Sequence, residues 1–299
     1  MIDTYGLLIM GTGAVVAGAC AFVGCFLILR RMAMLGDAIS HSVLLGIVLA
    51  FLVTGDMGIV SMFVGAAVFG LLTAVMVQAL EGSGVASDAA IGVTFTSFFA
   101  LGVVLLTAFA SRVHLDLEHV LYGEIAYAPW DVFMIGEVVL GPRAMWTMGA
   151  VFAVNLIVIG VFFKEFKLCA FDAGMAAAVG INVALFHYLL MGLVSLTTVA
   201  AFESVGAILS VAMLIVPGAT AYLLTENLKR MLALSVLFGV ASSVGGYAVA
   251  YLIDCSIAGA MAGVSGVLFL LAMLFSPSQG VITKRWLQRI GPEGQSVVQ

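Results

Sequence analysis

Along this chain the apolar residues run in blocks of about twenty, separated by short stretches where the few charged residues collect. A helix needs ~20 mostly apolar residues to cross a hydrocarbon core about 30 Å thick. Blocks of that kind fall at residues 6–29, 34–53, 58–80, 89–110, 131–163, 182–201, 204–224, 231–252 and 257–275. They predict an all-α, polytopic transmembrane helical bundle of about eight to nine spans. The fifth block is too long for one crossing. Pro129 and Pro142, with Gly136 and Gly141, predict a broken or re-entrant piece ahead of its spanning helix.

Composition narrows the function. Charged residues are 9% of the 299, against about 25% in soluble domains, and the apolar types make up 64%. Too little polar surface remains to cover a water-exposed globule, and no basic stretch exists that could neutralise a run of phosphates, so nucleic acid is not a predicted partner. Cys20, Cys25, Cys169 and Cys255 form no CxxC pair and read as small hydrophobes. The opening MIDTYG carries no basic segment, so the first apolar block is expected to stay as a span.

Arg30/Arg31, Lys164/Lys167, Lys229/Arg230 and Lys284/Arg285/Arg289 can all share one side. By the positive-inside bias that side is the cytoplasm, which puts the N-terminus outside and the C-terminus inside. A multi-pass membrane protein in contact with lipid follows. Residues 1–277 form the transmembrane domain in this reading, and residues 278–299 a short cytoplasmic tail.

Ionisable groups inside a bilayer are functional candidates by default, because each costs several kcal/mol unless it faces a partner or a wet cavity. Asp37 and His41 stand four apart in RRMAMLGDAISHSVLLGI, on one face of a helix and about 6 Å from each other. They offer one oxygen and one nitrogen ligand of the kind Mn²⁺, Zn²⁺ and Fe²⁺ accept, with Ser40 as a further hydroxyl contact. The same spacing also suits a cap or ion pair near Arg30/Arg31 for Asp37 and a helix–helix hydrogen bond for His41. Glu203, flanked by apolar sequence on both sides, is expected toward the outer side as a gate or a turn. The loop 111–129 concentrates His114, Asp116, Glu118, His119 and Glu124, a cation-collecting entrance or an ordinary solvated loop. His187 reads as a hydrogen-bonded packing residue.

No Walker A pattern occurs, so ATP hydrolysis is not this chain's own. The glycines of GTGAVVAG, 11–18, lie inside an apolar block and read as helix-packing positions. LCAFDAGMAAAVGIN predicts a short helix on the cytoplasmic side. Asp172 is its N-cap and Gly180 its left-handed end, so the segment is either a plain connector or a docking element for a cytoplasmic partner.

RRMAMLGDAISHSVLLGI, KEFKLCAFDAGMAAAVGI, ESVGAILSVAMLIVPGATAYLLT and the closing LLAMLFSP resemble, in order and spacing, the manganese/zinc/iron permease family of ABC importers, across the chain to about residue 277. The resemblance implies a fold like that of the vitamin B12 importer permeases, a permease domain over residues 1–277 and a location in a bacterial cytoplasmic (inner) membrane. It implies a second permease copy or sister permease, two cytoplasmic ABC ATPase subunits and an extracytoplasmic metal-binding protein. It makes Asp37 and His41 ligands of the translocation pathway and places the helix of Phe171, Asp172 and Gly180 against the ATPase. The metal is cargo taken up by alternating access, with no permanently bound cofactor. Leu45 stands where the family motif often has Pro, and the histidines of the 111–119 loop are outside the pattern, so no metal role is carried to them. Two other classes carry different signatures. An ion-gradient-driven secondary transporter would show two matched halves. An intramembrane metalloenzyme would show HExxH or a third ligand near the pair.

Overall fold

A computed structural model of the protein describes residues 4–55, 59–109, 125–135, 138–276 and 280. His114, Asp116, Glu118, His119 and Glu124, and the expected tail apart from Gly280, lie outside the described residues. The elements are α1 (Thr4–Leu29), α2 (Met34–Thr54), α3 (Ile59–Gly82), α4 (Ser87–Phe109), β1 (Val132–Ile135), β2 (Val138–Pro142) and α5 (Arg143–Val161). They continue as α6 (Phe163–Phe171), α7 (Ala173–Ala178), α8 (Val183–Val205), α9 (Ala207–Leu224), α10 (Leu228–Ile253) and α11 (Ile257–Phe275). Among the described residues nine helices, all but α6 and α7, are long and apolar enough to cross a membrane.

The fifth apolar block is broken ahead of its spanning helix, and the break is a strand hairpin. Val132–Ile135 and Val138–Pro142 pair antiparallel as a small hairpin, and α5 begins directly after Pro142, which has no N–H to lose at a helix entry. Arg143 N–H donates back to the Asp131 carbonyl at 2.8 Å, closing the hairpin onto the helix.

Helix α1 is the centre of the bundle. Its most apolar window is 72% buried, against 11% for the peripheral α11. Both are uniformly apolar. The Gly, Ala and Cys side chains of α1 are small and let neighbours approach closely. Gly13, within the GTGAVVAG run, faces Ser243 of α10 and Met261 of α11, and Ser243 Oγ donates to the Met10 carbonyl at 3.1 Å. Pro217 is buried inside α9, which remains helical through it. At the α2–α3 crossing, a Cβ on Gly46 would run into the Gly65 carbonyl oxygen, and a Cβ on Gly65 into that of Gly46.

That reciprocal contact predicts a loss of stability. Gly46→Leu should destabilise the permease by about 1–3 kcal/mol through overpacking. Gly149→Leu, at a position with nothing within 4 Å, should not. Thermal-shift measurement of the two variants in detergent checks the difference, and equal melting temperatures would contradict it.

Among the described residues the basic clusters Arg30/Arg31, Lys164/Lys167 and Lys229/Arg230 gather at one end of the bundle. Leu29, Arg30 and Arg31 border the same cavity as Phe171, Val183 and His187, and Leu29 and Phe171 border a second with Tyr222 and Leu228. Lys229 Nζ stands 5.7 Å from the centre of the Phe163 ring. Arg143 begins α5 at the other end.

Candidate functional site

Asp37 and His41 occupy the first two turns of α2, and their depth follows from the packing around them. Ile39, between them, converges with Ser195 of α8 on Gly70 of α3, and Ser195 Oγ donates to the Ala67 carbonyl at 3.2 Å. Ser195 is twelve positions beyond Val183 in the 23-residue α8. At 1.5 Å per residue that is ~18 Å from the helix start, near the middle of a 30 Å layer. Gly70 is likewise near the midpoint of the 24-residue α3. The α1–α2 turn is therefore recessed, and the pair stands at mid-depth although it begins its helix.

Asp37 Oδ1 and His41 Nε2 are 3.6 Å apart, close enough for electrostatic attraction and too far for a good hydrogen bond. Their side chains are 34% and 36% exposed, so one face of α2 is open at the pair. The His41 ring lies between Phe95 and Phe99 of α4, each at 5.7 Å between centroids, which restricts the ring without occupying its nitrogens. A carboxylate oxygen and an imidazole nitrogen this close on an open face are donor types suited to a borderline divalent cation.

Other expected contacts differ. Ser40 is buried and its hydroxyl donates to the Asp37 backbone carbonyl at 2.7 Å, so it turns inward and is not on the open face. The N-cap of α2 is Ala33, so Asp37 caps nothing, and Arg30 pairs with His187 at 3.0 Å instead of with Asp37. Among the described residues no third His, Cys, Asp or Glu joins the pair. Glu203 is exposed in the last turn of α8, eight positions past Ser195 and hence ~12 Å outward of the pair's level. Arg143 and Asp131 interact with it electrostatically. The structure does not bring Glu203 into one ligand set with Asp37 and His41.

At the basic end α6 stops where Asp172 turns extended, with φ −148° and ψ 90°. Asp172 Oδ1 then accepts the Met175 N–H at 2.8 Å and caps α7. Gly180, at φ +90°, ends the segment, and Asn182 caps α8 through the Leu185 N–H at 3.1 Å. Ala176 is fully buried and anchors α7, while Met175 and Val179, one turn apart, and Phe171 at the end of α6 are all more than half exposed. Exposed apolar side chains at the aqueous end of a membrane bundle form a surface suited to a partner.

Sequence reasoning missed Phe95 and Phe99 around His41, Arg30 as the partner of His187, and Gln78 with its buried Oε1. The four-residue spacing of the two phenylalanines was the one available signal.

A bundle of apolar helices carrying an ionisable pair at mid-depth defines a membrane-spanning permease. The profile of the ABC 3 transport family matches residues 7–276, and the chain belongs to that family. It is 56% identical over 277 residues to the manganese transport system membrane protein MntD of Bacillus subtilis, covering 93% of this chain and 94% of MntD. It is 45% identical over 276 residues to the zinc transport system membrane protein TroD of Treponema pallidum, covering 92% and 75% of the two chains. The structure of PsaBC from Streptococcus pneumoniae in complex with Fab superposes with a TM-score of 0.76 at 37% identity, over 97% of this chain and 96% of that one. An inward-facing metal-chelate type ABC transporter shares the fold, with a TM-score of 0.65 at 18% identity over 90% and 85% of the chains. The protein is thus a multi-pass permease subunit of the bacterial inner membrane, and ATP hydrolysis belongs to a separate ATPase subunit. The secondary-transporter reading is not favoured.

Proposed function

We propose that this permease imports Mn²⁺ or Zn²⁺ by alternating access, with Asp37 and His41 as the mid-membrane ligands of the passing ion. Fe²⁺ meets the same oxygen and nitrogen donors and competes for them. The reading rests on one observation above others: a carboxylate and an imidazole, each about a third exposed, share an open face at mid-depth. Facing lipid, such a pair would be destabilising by several kcal/mol, so the face is one that a second permease copy or sister permease covers. A facing copy also completes the ligand set, since two protein ligands alone hold a divalent ion weakly and an ion that must leave again is served by few. Glu203, about 12 Å outward, is the carboxylate that a descending ion meets first. Similarity to permeases named for manganese and zinc supports this cargo class.

An extracytoplasmic metal-binding protein delivers the ion at the outer end. Two cytoplasmic ABC ATPase subunits engage the segment from Phe171 to Gly180. Its exposed Phe171, Met175 and Val179 fit an apolar groove, and Asp172 and Gly180 fix the direction of α7 by capping and ending it. Directionality comes from population shift, ATP binding favouring the state open on one side and hydrolysis releasing it.

The test is uptake of Mn²⁺, Zn²⁺ and Fe²⁺ in cells lacking this chain, complemented with it alongside either an active ATPase or one whose Walker A lysine is replaced. Uptake of Mn²⁺ or Zn²⁺ restored only with the active ATPase is the expected result. Uptake that persists with the inactive ATPase would favour a gradient-driven carrier.

A further inference from the structure

Arg30 lies in the turn between α1 and α2, and His187 in the second turn of α8. Arg30 Nη1 is 3.0 Å from His187 Nδ1, a bond between residues 157 positions apart in sequence. A guanidinium only donates, so Nδ1 accepts and the neutral ring carries its proton on Nε2. That Nε2–H is buried without a hydrogen-bond partner among the described residues, and so is Oε1 of Gln78 on α3. His187, Gln78 and Arg30 all border one cavity of about 640 Å³, whose wall also includes Phe171 and Ala173 of the α6–α7 junction.

Each end of the bond is tied tightly to an element of the mechanism. His187 follows α7 through a short connection in which Gly180 N–H donates to Ala177 at 3.0 Å, Ile181 N–H to Ala176 at 2.9 Å, and Asn182 caps α8. Arg30 precedes Asp37 by seven positions, through a turn held by Arg31 N–H to Ile28 at 3.0 Å, Met32 N–H to Leu27 at 2.9 Å and Leu35 N–H to Met32 at 3.0 Å. Arg31 is held at φ +59° within it, so the turn has little slack.

We propose that Arg30 and His187 are positioning residues whose bond carries movement of α7 to the α2 helix holding Asp37 and His41. This rests on the reading of α7 as the helix that meets the ATPase. A two-state element whose balance both sites bias is the physical requirement for such coupling.

The experiment uses the complete transporter in proteoliposomes, with Mn²⁺ uptake and ATP hydrolysis measured together. His187→Ala and Arg30→Ala should each raise the ATP consumed per Mn²⁺ by about three- to tenfold, at unchanged complex assembly, with the double variant no worse than either single. Should the alanine variants assemble poorly, two isosteric ones decide the matter. His187→Asn keeps an acceptor at the Nδ1 position and should retain the wild-type ratio, whereas His187→Gln places its amide at the Nε2 position and should uncouple. Equal ratios in the Asn and Gln variants, or additive losses in the double alanine variant, overturn the link while leaving the transport reading intact. A wild-type complex without ATP-dependent Mn²⁺ uptake rejects that reading itself, and the link with it.

Discussion

Asp37→Ala and His41→Ala are each expected to reduce ATP-dependent Mn²⁺ uptake about a hundredfold, while the variant permease still assembles with its partners. The magnitude comes from the barrier the ion meets at mid-depth. An unmatched charge at the centre of a bilayer costs on the order of 3 kcal/mol even after relaxation, and at 1.36 kcal/mol per decade this is about two decades in rate. Assembly should survive because neither side chain holds the bundle together. They are 3.6 Å apart without a proper hydrogen bond, about a third exposed, and set on a helix whose close packing runs through Gly36, Gly46 and their neighbours. Asp37→Asn sharpens the test, since it keeps the volume and one oxygen but loses the charge, and should behave nearly as the alanine variant does. Radioactive Mn²⁺ uptake normalised to purified complex measures the effect. Uptake within twofold of wild type in both alanine variants would remove the pair from the pathway.

The pair itself was legible because its signal is local: two ionisable residues four apart inside an apolar block can only share a helix face. Its depth was not. That required Ile39, Gly70 and Ser195 to be seen converging, a relation among three helices that no run of apolar residues encodes. Spans are readable from length alone, but in lipid both core and periphery are apolar, so helices such as α1 and α11 look alike although one is central and the other outermost. The direction of Ser40 was hidden for a related reason. Its hydroxyl turns back to the Asp37 carbonyl, a choice of rotamer made by the burial around it. The hairpin before α5 was flagged as irregular by Pro142 and Gly141, yet those residues say only that a helix cannot run through, not what replaces it. The Arg30–His187 bond lay beyond reach altogether, being a contact between distant segments. By contrast the caps of α7 and α8 were open to reading, since Asp172 and Asn182 act within three residues of themselves.

Gly180→Val is expected to cut transport-coupled ATP hydrolysis about tenfold, and the reason is backbone geometry rather than crowding. Gly180 sits at φ +90° with nothing within 4 Å of the place its Cβ would occupy, so a side chain there meets no neighbour. A β-branched residue nevertheless resists positive φ by about 1–2 kcal/mol or more, and the chain relieves this by rotating out of that region. Two backbone bonds depend on the turn, Gly180 N–H to Ala177 and Ile181 N–H to Ala176, so rotation there re-aims α7 relative to α8. The exposed Phe171, Met175 and Val179 then no longer present one surface to the ATPase. Gly180→Asn is the control, because asparagine tolerates positive φ and should keep most of the activity despite its larger side chain. ATP hydrolysis stimulated by metal-loaded binding protein, measured for the wild type and both variants in the assembled transporter, separates the possibilities. Full stimulation in the valine variant would dissociate this turn from the power stroke, whereas loss in both variants would point to the side-chain volume and not to the backbone.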